Sequence, residues 1–162
     1  MKKTAILLLI LLFLAAGTVG WGLMHTDLQV IGKSVRVLPA RERTEEFSAL
    51  REAVKNQSLL GTQLTSGDMG EASDYSFFIY TLRLKNSGLV DAEMVEVQIA
   101  PLVGDALFYT DPGEKIIKAG ETGDVQCVLL TRGKPHPVRD LYVTYYLWGH
   151  PQEVKYTYES KD

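Results

Sequence analysis

Within Tyr75–Leu102 two runs alternate apolar and polar side chains, and little else in the chain limits its fold so narrowly. Leu82 and Leu84 alternate with Arg83 and Lys85; after the turn Asn86-Ser87-Gly88, Val95, Val97 and Ile99 alternate with Glu96 and Gln98. A period of two is that of a strand with one face buried and one wet. The two runs, joined by a short turn, predict a hairpin at the centre of a sheet. The same signal returns at Asp27–Leu38, closed by Pro39, at Ser58–Thr65, Leu107–Thr110, Lys115–Ile117 and Val125–Thr131, and again at Leu141–Trp148 and Glu153–Tyr158. Turn residues separate the later runs, at Asp111-Pro112-Gly113, Ala119-Gly120-Glu121, Arg132–Pro137 and Gly149–Gln152. About seven to eight short strands with inward apolar faces predict a mainly β chain, a two-sheet antiparallel sandwich of the immunoglobulin-like kind.

One segment breaks the period. From Thr44 to Lys55, Phe47, Leu50 and Val54 recur at helical spacing, while Glu45, Glu46, Arg51, Glu52 and Lys55 take the other face. Thr44 is the expected N-cap, and the acidic pair suits the positive end of the helix dipole. A helix with one apolar stripe must lie on another element, and the sheet is the partner this chain offers.

The N-terminus reads differently. Lys2 and Lys3 precede an uncharged run from Thr4 to Met24, about the ~20 residues a helix needs to cross a bilayer. A cleavable signal also fits, with Ala5–Leu14 as its apolar region and Ala15-Ala16-Gly17 as the small residues after it. The continuation to Leu23 and Met24, with Trp21 where an interfacial aromatic would sit, favours a retained transmembrane anchor over residues 1–25. Either way residues 26–162 are expected outside the cytoplasm, with the N-terminus inside by the positive-inside rule, and secretion after cleavage is the alternative. No cysteine follows the segment to take a lipid, and it lacks the early acidic residue of a pilin-like helix.

Composition narrows the partners. Of 162 residues 46% are hydrophobic and 23% charged, as in a globular protein. Setting Lys2 and Lys3 aside leaves 15 of the 17 basic side chains against 20 acidic ones, a balance of −5 that argues against nucleic acid. The single cysteine, Cys127, closes no intrachain disulfide, and its alternation with Val125 and Leu129 makes it a buried small hydrophobe.

Leu84-Lys85-Asn86-Ser87-Gly88, then Ala92, the alternating Val95, Val97 and Ile99, and Ile117-Lys118-Ala119-Gly120-Glu121 before the Val125 strand resemble bacterial extracytoplasmic immunoglobulin-like modules of the CARDB type. The resemblance covers about Tyr75 to Leu130. It implies a binding or structural role and transfers no catalytic residue; the helix at 44–55 and the aromatic C-terminal strands depart from it.

Nothing in the sequence specifies a reaction. His25, His136 and His150 have no zinc-site spacing, there is no Gly-x-Ser-x-Gly elbow, and no phosphate-binding glycine loop is present. Asp68, Glu71 and Asp74 supply oxygens that calcium takes, but not in the order of a calcium loop. Asn56-Gln57-Ser58 matches a glycosylation triplet that chance often produces. No cofactor or metal is expected, and no pair among the acidic residues is singled out for hydrolysis.

The surface of most interest carries Tyr142, Tyr146 and Trp148, opposite the inward Leu141, Val143, Tyr145 and Leu147. Aromatic rings on a sheet face stack on sugars or anchor protein partners. The competing expectation, and the favoured one, is that the helix at 44–55 covers these rings as a minor core. The chain is therefore expected to be a membrane-anchored extracytoplasmic binding or scaffold domain without enzymatic activity. A glycan-binding accessory domain and a surface hydrolase are the alternatives.

Overall fold

The structure is a computed structural model that describes residues 2–24, 28–110, 113, 115–133, 136 and 138–159, with helix side chains in the first segment limited to 4, 6–18 and 20. His25, Asp111 and Pro112 of the expected turn, and the side chains of Lys2, Lys3 and Trp21 lie outside the described residues.

Helix α1 spans Lys2–Met24, and among the described residues eight strands follow: β1 Leu28–Pro39, β2 Thr62–Gln63, β3 Tyr75–Asn86, β4 Glu93–Ile99, β5 Asp105–Thr110, β6 Thr122–Arg132, β7 Val138–Leu147 and β8 His150–Glu159. Helix α2, Thr44–Lys55, lies between β1 and β2. The strands form two antiparallel sheets, a five-stranded one ordered β1-β3-β6-β5-β2 and a three-stranded one ordered β4-β7-β8. The expected hairpin across Asn86-Ser87-Gly88 is therefore wrong: β3 and β4 belong to different sheets. The turn carries the chain from one layer to the other, because both runs turn their apolar faces to the same interior. Lys115–Ile117 is not a strand but a segment touching Ala92 through one bridge at Ile117.

Helix α1 has 23 residues and is about 34 Å long at 1.5 Å per residue. Its side chains from Ile6 to Leu14 are apolar and exposed. Among the described residues no helix is long and apolar enough to cross a membrane. The run Thr4–Met24, expected from sequence to span a membrane, is helical throughout.

The main core lies between the sheets. Phe78, Tyr80, Leu82 and Leu84 of β3 and Val125, Cys127 and Leu129 of β6 meet Val95, Val97 and Ile99 of β4 and Leu141, Val143, Tyr145 and Leu147 of β7. Cys127 is buried as expected, and burial pushes its thiol up to about 12. A second core lies on the other face of the five-stranded sheet, where Phe47 of α2 packs with Ala40, Met69, Tyr75, Phe77, Leu107 and Leu130, and Leu50 and Val54 flank them. The helix begins and ends where the sequence places it, but Arg43 holds the N-cap position and Thr44 is the first helical residue. Its C-terminus closes with Gln57 N–H to Val54 O (3.2 Å) and Ser58 N–H to Ala53 O (2.8 Å), a Schellman arrangement with Gln57 at φ 55 where glycine is usual.

Polar groups close both ends of the stack. At one end Arg139 of β7, 1% exposed, reaches Asp105 of β5 in the other sheet through two hydrogen bonds of 2.6 and 2.7 Å. Thr131 Oγ1 and the Leu102 N–H also donate to that carboxylate, at 3.0 and 2.7 Å. At the other end Asn86 Nδ2 donates to the carbonyls of Val90 (2.7 Å) and Ile117 (2.9 Å), and Asn86 Oδ1 accepts from Gly88 N–H at 2.9 Å. The Asn86 backbone is bonded on both sides to the Gly120-Glu121 turn at 3.0 Å. Two motifs more than thirty residues apart in sequence thus form one knot.

Candidate functional site

The register of the three-stranded sheet fixes its outer face. Tyr142 lies beside Lys155 and Gln98, Thr144 between Glu96 and Glu153, and Tyr146 between Glu93 and Pro151. Alternation puts all of these side chains opposite the buried Leu141, Val143 and Tyr145. Helix α2 covers the far face of the other sheet, so the expected covering of the aromatic rings is corrected: Tyr146 and Trp148 are exposed and Tyr142 is half-buried. The helix docks where the sheet is apolar on both faces, and the β7 face, with Tyr and Thr, is not such a place.

The three aromatic residues have separate surroundings. Tyr142 sits under the Lys155 ammonium at 5.9 Å. Lys155 is bound to Asp140 at 2.8 Å, and Thr157 Oγ1 donates to the same carboxylate at 2.8 Å. Those two hydrogen bonds hold the Asp140 carboxyl below its ordinary range, and Asp140 raises Lys155. Tyr142 is therefore part of a surface network already satisfied within the fold. Tyr146 lines a groove of about 400 Å³ with Met94, Glu96, Gln98, Thr144, Gln152 and Glu153. Met94 has φ 50, and the register of β4 slips between Glu93 and Glu96, so a bulge shapes the rim of this groove. Among the described residues the lining carries two carboxylates and no basic side chain.

Trp148 is not on the strand. It and Gly149 form the two-residue loop between the paired Leu147 and His150, with φ 54 and 74. Positive φ at both positions is the signature of a type I′ hairpin turn, where asparagine and glycine are the usual occupants. The tryptophan is thus presented at a hairpin tip, 67% exposed, away from the groove.

Residues considered for metal are dispersed. Among the described residues no group of histidine, cysteine and carboxylate side chains gathers to hold an ion. His136 Nε2 contacts Val103 O at 2.8 Å at the Arg139 end of the stack, whereas His150 lies in the hairpin at the other. Asp74 is paired with Arg132 at 3.3 Å, and Glu71 approaches Arg51 at 3.9 Å. Glu96 and Glu153 were not singled out from sequence. Their signal is outward parity on strands flanking β7, which becomes a site only once the register is known.

No family model matches this chain, and no curated protein does. Among solved structures it is similar to the crystal structure of a FixG-related protein from Vibrio parahaemolyticus, at 13% identity over 80% of this chain and 95% of that one, with a TM-score of 0.37. At that score the likeness carries no argument about fold or function.

Proposed function

We propose that this protein is a non-enzymatic binding module, anchored to a membrane through α1 and held outside the cytoplasm, whose outer three-stranded face takes up a basic segment of a protein partner. The observation that carries this reading is the groove around Tyr146: Glu96 and Glu153 flank Thr144 in register, with Gln98 and Gln152 beside them. An acceptor-rich groove with an aromatic wall suits a lysine or arginine side chain, which gains charge-assisted hydrogen bonds and a ring to lie on. Lys155, two residues from Glu153 on β8, is held by Asp140 at 2.8 Å. The anchor is supported by the uncharged, mainly apolar Thr4–Met24 run, which is helical and exposes apolar side chains from Ile6 to Leu14. Lys2 and Lys3 give the orientation. Two antiparallel sheets around one core support an immunoglobulin-like arrangement, as the Asn86 and Gly120 turns do.

The test is fluorine NMR of the full chain carrying 3-fluorotyrosine, in phosphatidylcholine nanodiscs, titrated with a lysine- and arginine-rich peptide and separately with a neutral oligosaccharide. The peptide is expected to shift the Tyr146 resonance and to lose that effect in Glu96→Gln and Glu153→Gln. A shift with the sugar alone would favour the glycan-binding alternative. No shift with either would remove the groove as a binding site.

A further inference from the structure

Strand direction decides which end of the stack faces α1. Strand β1 starts at Leu28, only residues 25–27 after the helix ends, and Leu28 pairs with Asn86 at the end of β3. Strand β4 starts from that same end after the Asn86–Ala92 crossover, and β7 runs antiparallel to β4, pairing Tyr146 with Glu93. The β7–β8 tip therefore lies at the end of the stack where the chain emerges from α1. Two exposed apolar side chains are carried there on separate loops: Leu89, 77% exposed, in the β3–β4 crossover, and Trp148 at the hairpin tip.

The Trp148 side chain makes no hydrogen bond or ring contact among the described residues, and Trp148 holds a left-handed position that a β-hairpin ordinarily fills with asparagine or glycine. A linker of residues 25–27 reaches roughly 14 Å at full extension, so a membrane that holds α1 also lies within reach of these tips. Tryptophan favours the headgroup layer, where its ring is sheltered and its N–H stays wet. Charges at this end are mixed, Lys85 and Lys118 against Asp91, Glu93 and Glu121. An attraction that depends on anionic lipid is not built in.

We infer that the end of the sandwich nearest α1 rests on the lipid bilayer, with Trp148 and Leu89 inserted into its interfacial layer. The inference rests on reading α1 as the anchor and goes further, since it fixes the domain's orientation: the Asn86 knot faces the membrane and the Arg139 clasp faces away. The opposite end also exposes apolar side chains, Leu102, Val103 and Val138, and these serve as the internal control.

The chain has two tryptophans, so Trp21→Phe leaves Trp148 as its only reporter. The full chain is reconstituted in neutral phosphatidylcholine vesicles and quenched in turn by phosphatidylcholine spin-labelled at a shallow acyl position and by aqueous iodide. Trp148 is expected to be quenched by the labelled lipid and to be roughly threefold or more less sensitive to iodide than a far-end reporter, Val103→Trp in a Trp21→Phe/Trp148→Phe chain. Leu89→Trp in that same background gives an independent reading and should behave as Trp148 does. If both near-end reporters match the far-end one in iodide while Trp21, read in Trp148→Phe, is lipid-quenched, the anchor stands and the docking is overturned. If Trp21 is not lipid-quenched and the chain does not float with the vesicles, the anchor reading fails and takes the docking with it.

Discussion

The two ends of the stack solve one problem with different chemistry. Where β5 and β7 come together, a charged pair, Arg139 and Asp105, crosses from sheet to sheet out of contact with water; where β3 hands the chain to β4, the neutral amide of Asn86 does the joining. A buried ion pair is hard to interpret as net stability, because desolvating two charges offsets much of their attraction, whereas breaking it leaves a lone buried charge. A buried amide bonded to backbone carbonyls has a smaller penalty on either side. The ionic end is therefore expected to be the more brittle, although it need not contribute more to folding. In a chain with one cysteine, these two closures stand where a disulfide would otherwise join the sheets.

The comparison breaks most sharply at Arg139. Arg139→Met is expected to cost about 3–5 kcal/mol in urea unfolding, since the buried Asp105 carboxyl is then left with only the Thr131 hydroxyl and the Leu102 N–H as donors. Arg139→Met with Asp105→Leu should recover half or more of that loss. Failure to recover would mean that the clasp is a source of net stability and not only of specificity. At the other end Asn86→Ala should cost about 2 kcal/mol, with the Val90 carbonyl losing the Asn86 amide and the Ile117 carbonyl left with Ala92 N–H alone, and no second substitution should rescue it cheaply.

Both closing residues were legible in the alternation, and their partners were not. Asn86 continues the inward series Leu82, Leu84, and Arg139 opens the inward series Leu141, Val143, Tyr145, Leu147. A polar residue on a core parity at the end of a strand is the signal. Asp105 escaped because a register slip between Asp105 and Leu107 breaks the parity in β5. The docking site of α2, expected over Tyr142, Tyr146 and Trp148 and found elsewhere, is signalled by dipeptides that are apolar at both positions. Phe77-Phe78, Leu129-Leu130 and Leu107-Phe108 lie side by side in register, with Phe77 opposite Leu130 and Phe78 opposite Leu129. A sheet apolar on both faces at one place needs a cover there, whereas Leu82-Arg83-Leu84-Lys85 marks where the outer face is wet. The false hairpin at Asn86-Ser87-Gly88 came from reading a turn between two strands as local pairing, although sequence period carries no information on which sheet a strand joins. The groove at Tyr146 depends on a bulge and on three strands in register, and no single stretch of sequence encodes either.

Between the ends the core is buried and mainly apolar, and alkali should test that middle region separately. Tyr80 and Cys127 are register partners on β3 and β6. Burial pushes both up to about 12, with Arg139 beside Tyr80 acting in the opposite sense. Each folded value lies above the unfolded one, 10.0 for tyrosine and 9.0 for cysteine, so the folded state holds its protons longer. Stability is then unaffected below pH 9 and falls as pH rises toward 12. Between pH 9 and 10 the thiol alone contributes, up to about 1.4 kcal/mol per pH unit. Cys127→Ala should therefore postpone the onset to about pH 10, and an onset that does not move would assign the alkaline loss to the polar ends.

The smallest expected effect concerns the end that carries the hairpin tip. A left-handed conformation costs an L-residue with a bulky side chain about 1–2 kcal/mol, and asparagine relieves part of that because its short amide bonds locally. Trp148→Asn at φ 54, followed by Gly149 at φ 74, should raise the unfolding free energy by about 0.5–1 kcal/mol in detergent, a few degrees in Tm. The same change should loosen the hold of the domain on vesicles if the ring is an interfacial anchor. A stabilising substitution that weakens membrane contact would show that the near end keeps a strained tryptophan for its contact with lipid. A substitution neutral to both would reduce Trp148 to a tolerated turn residue and leave the asymmetry between the two ends to Arg139 and Asn86 alone.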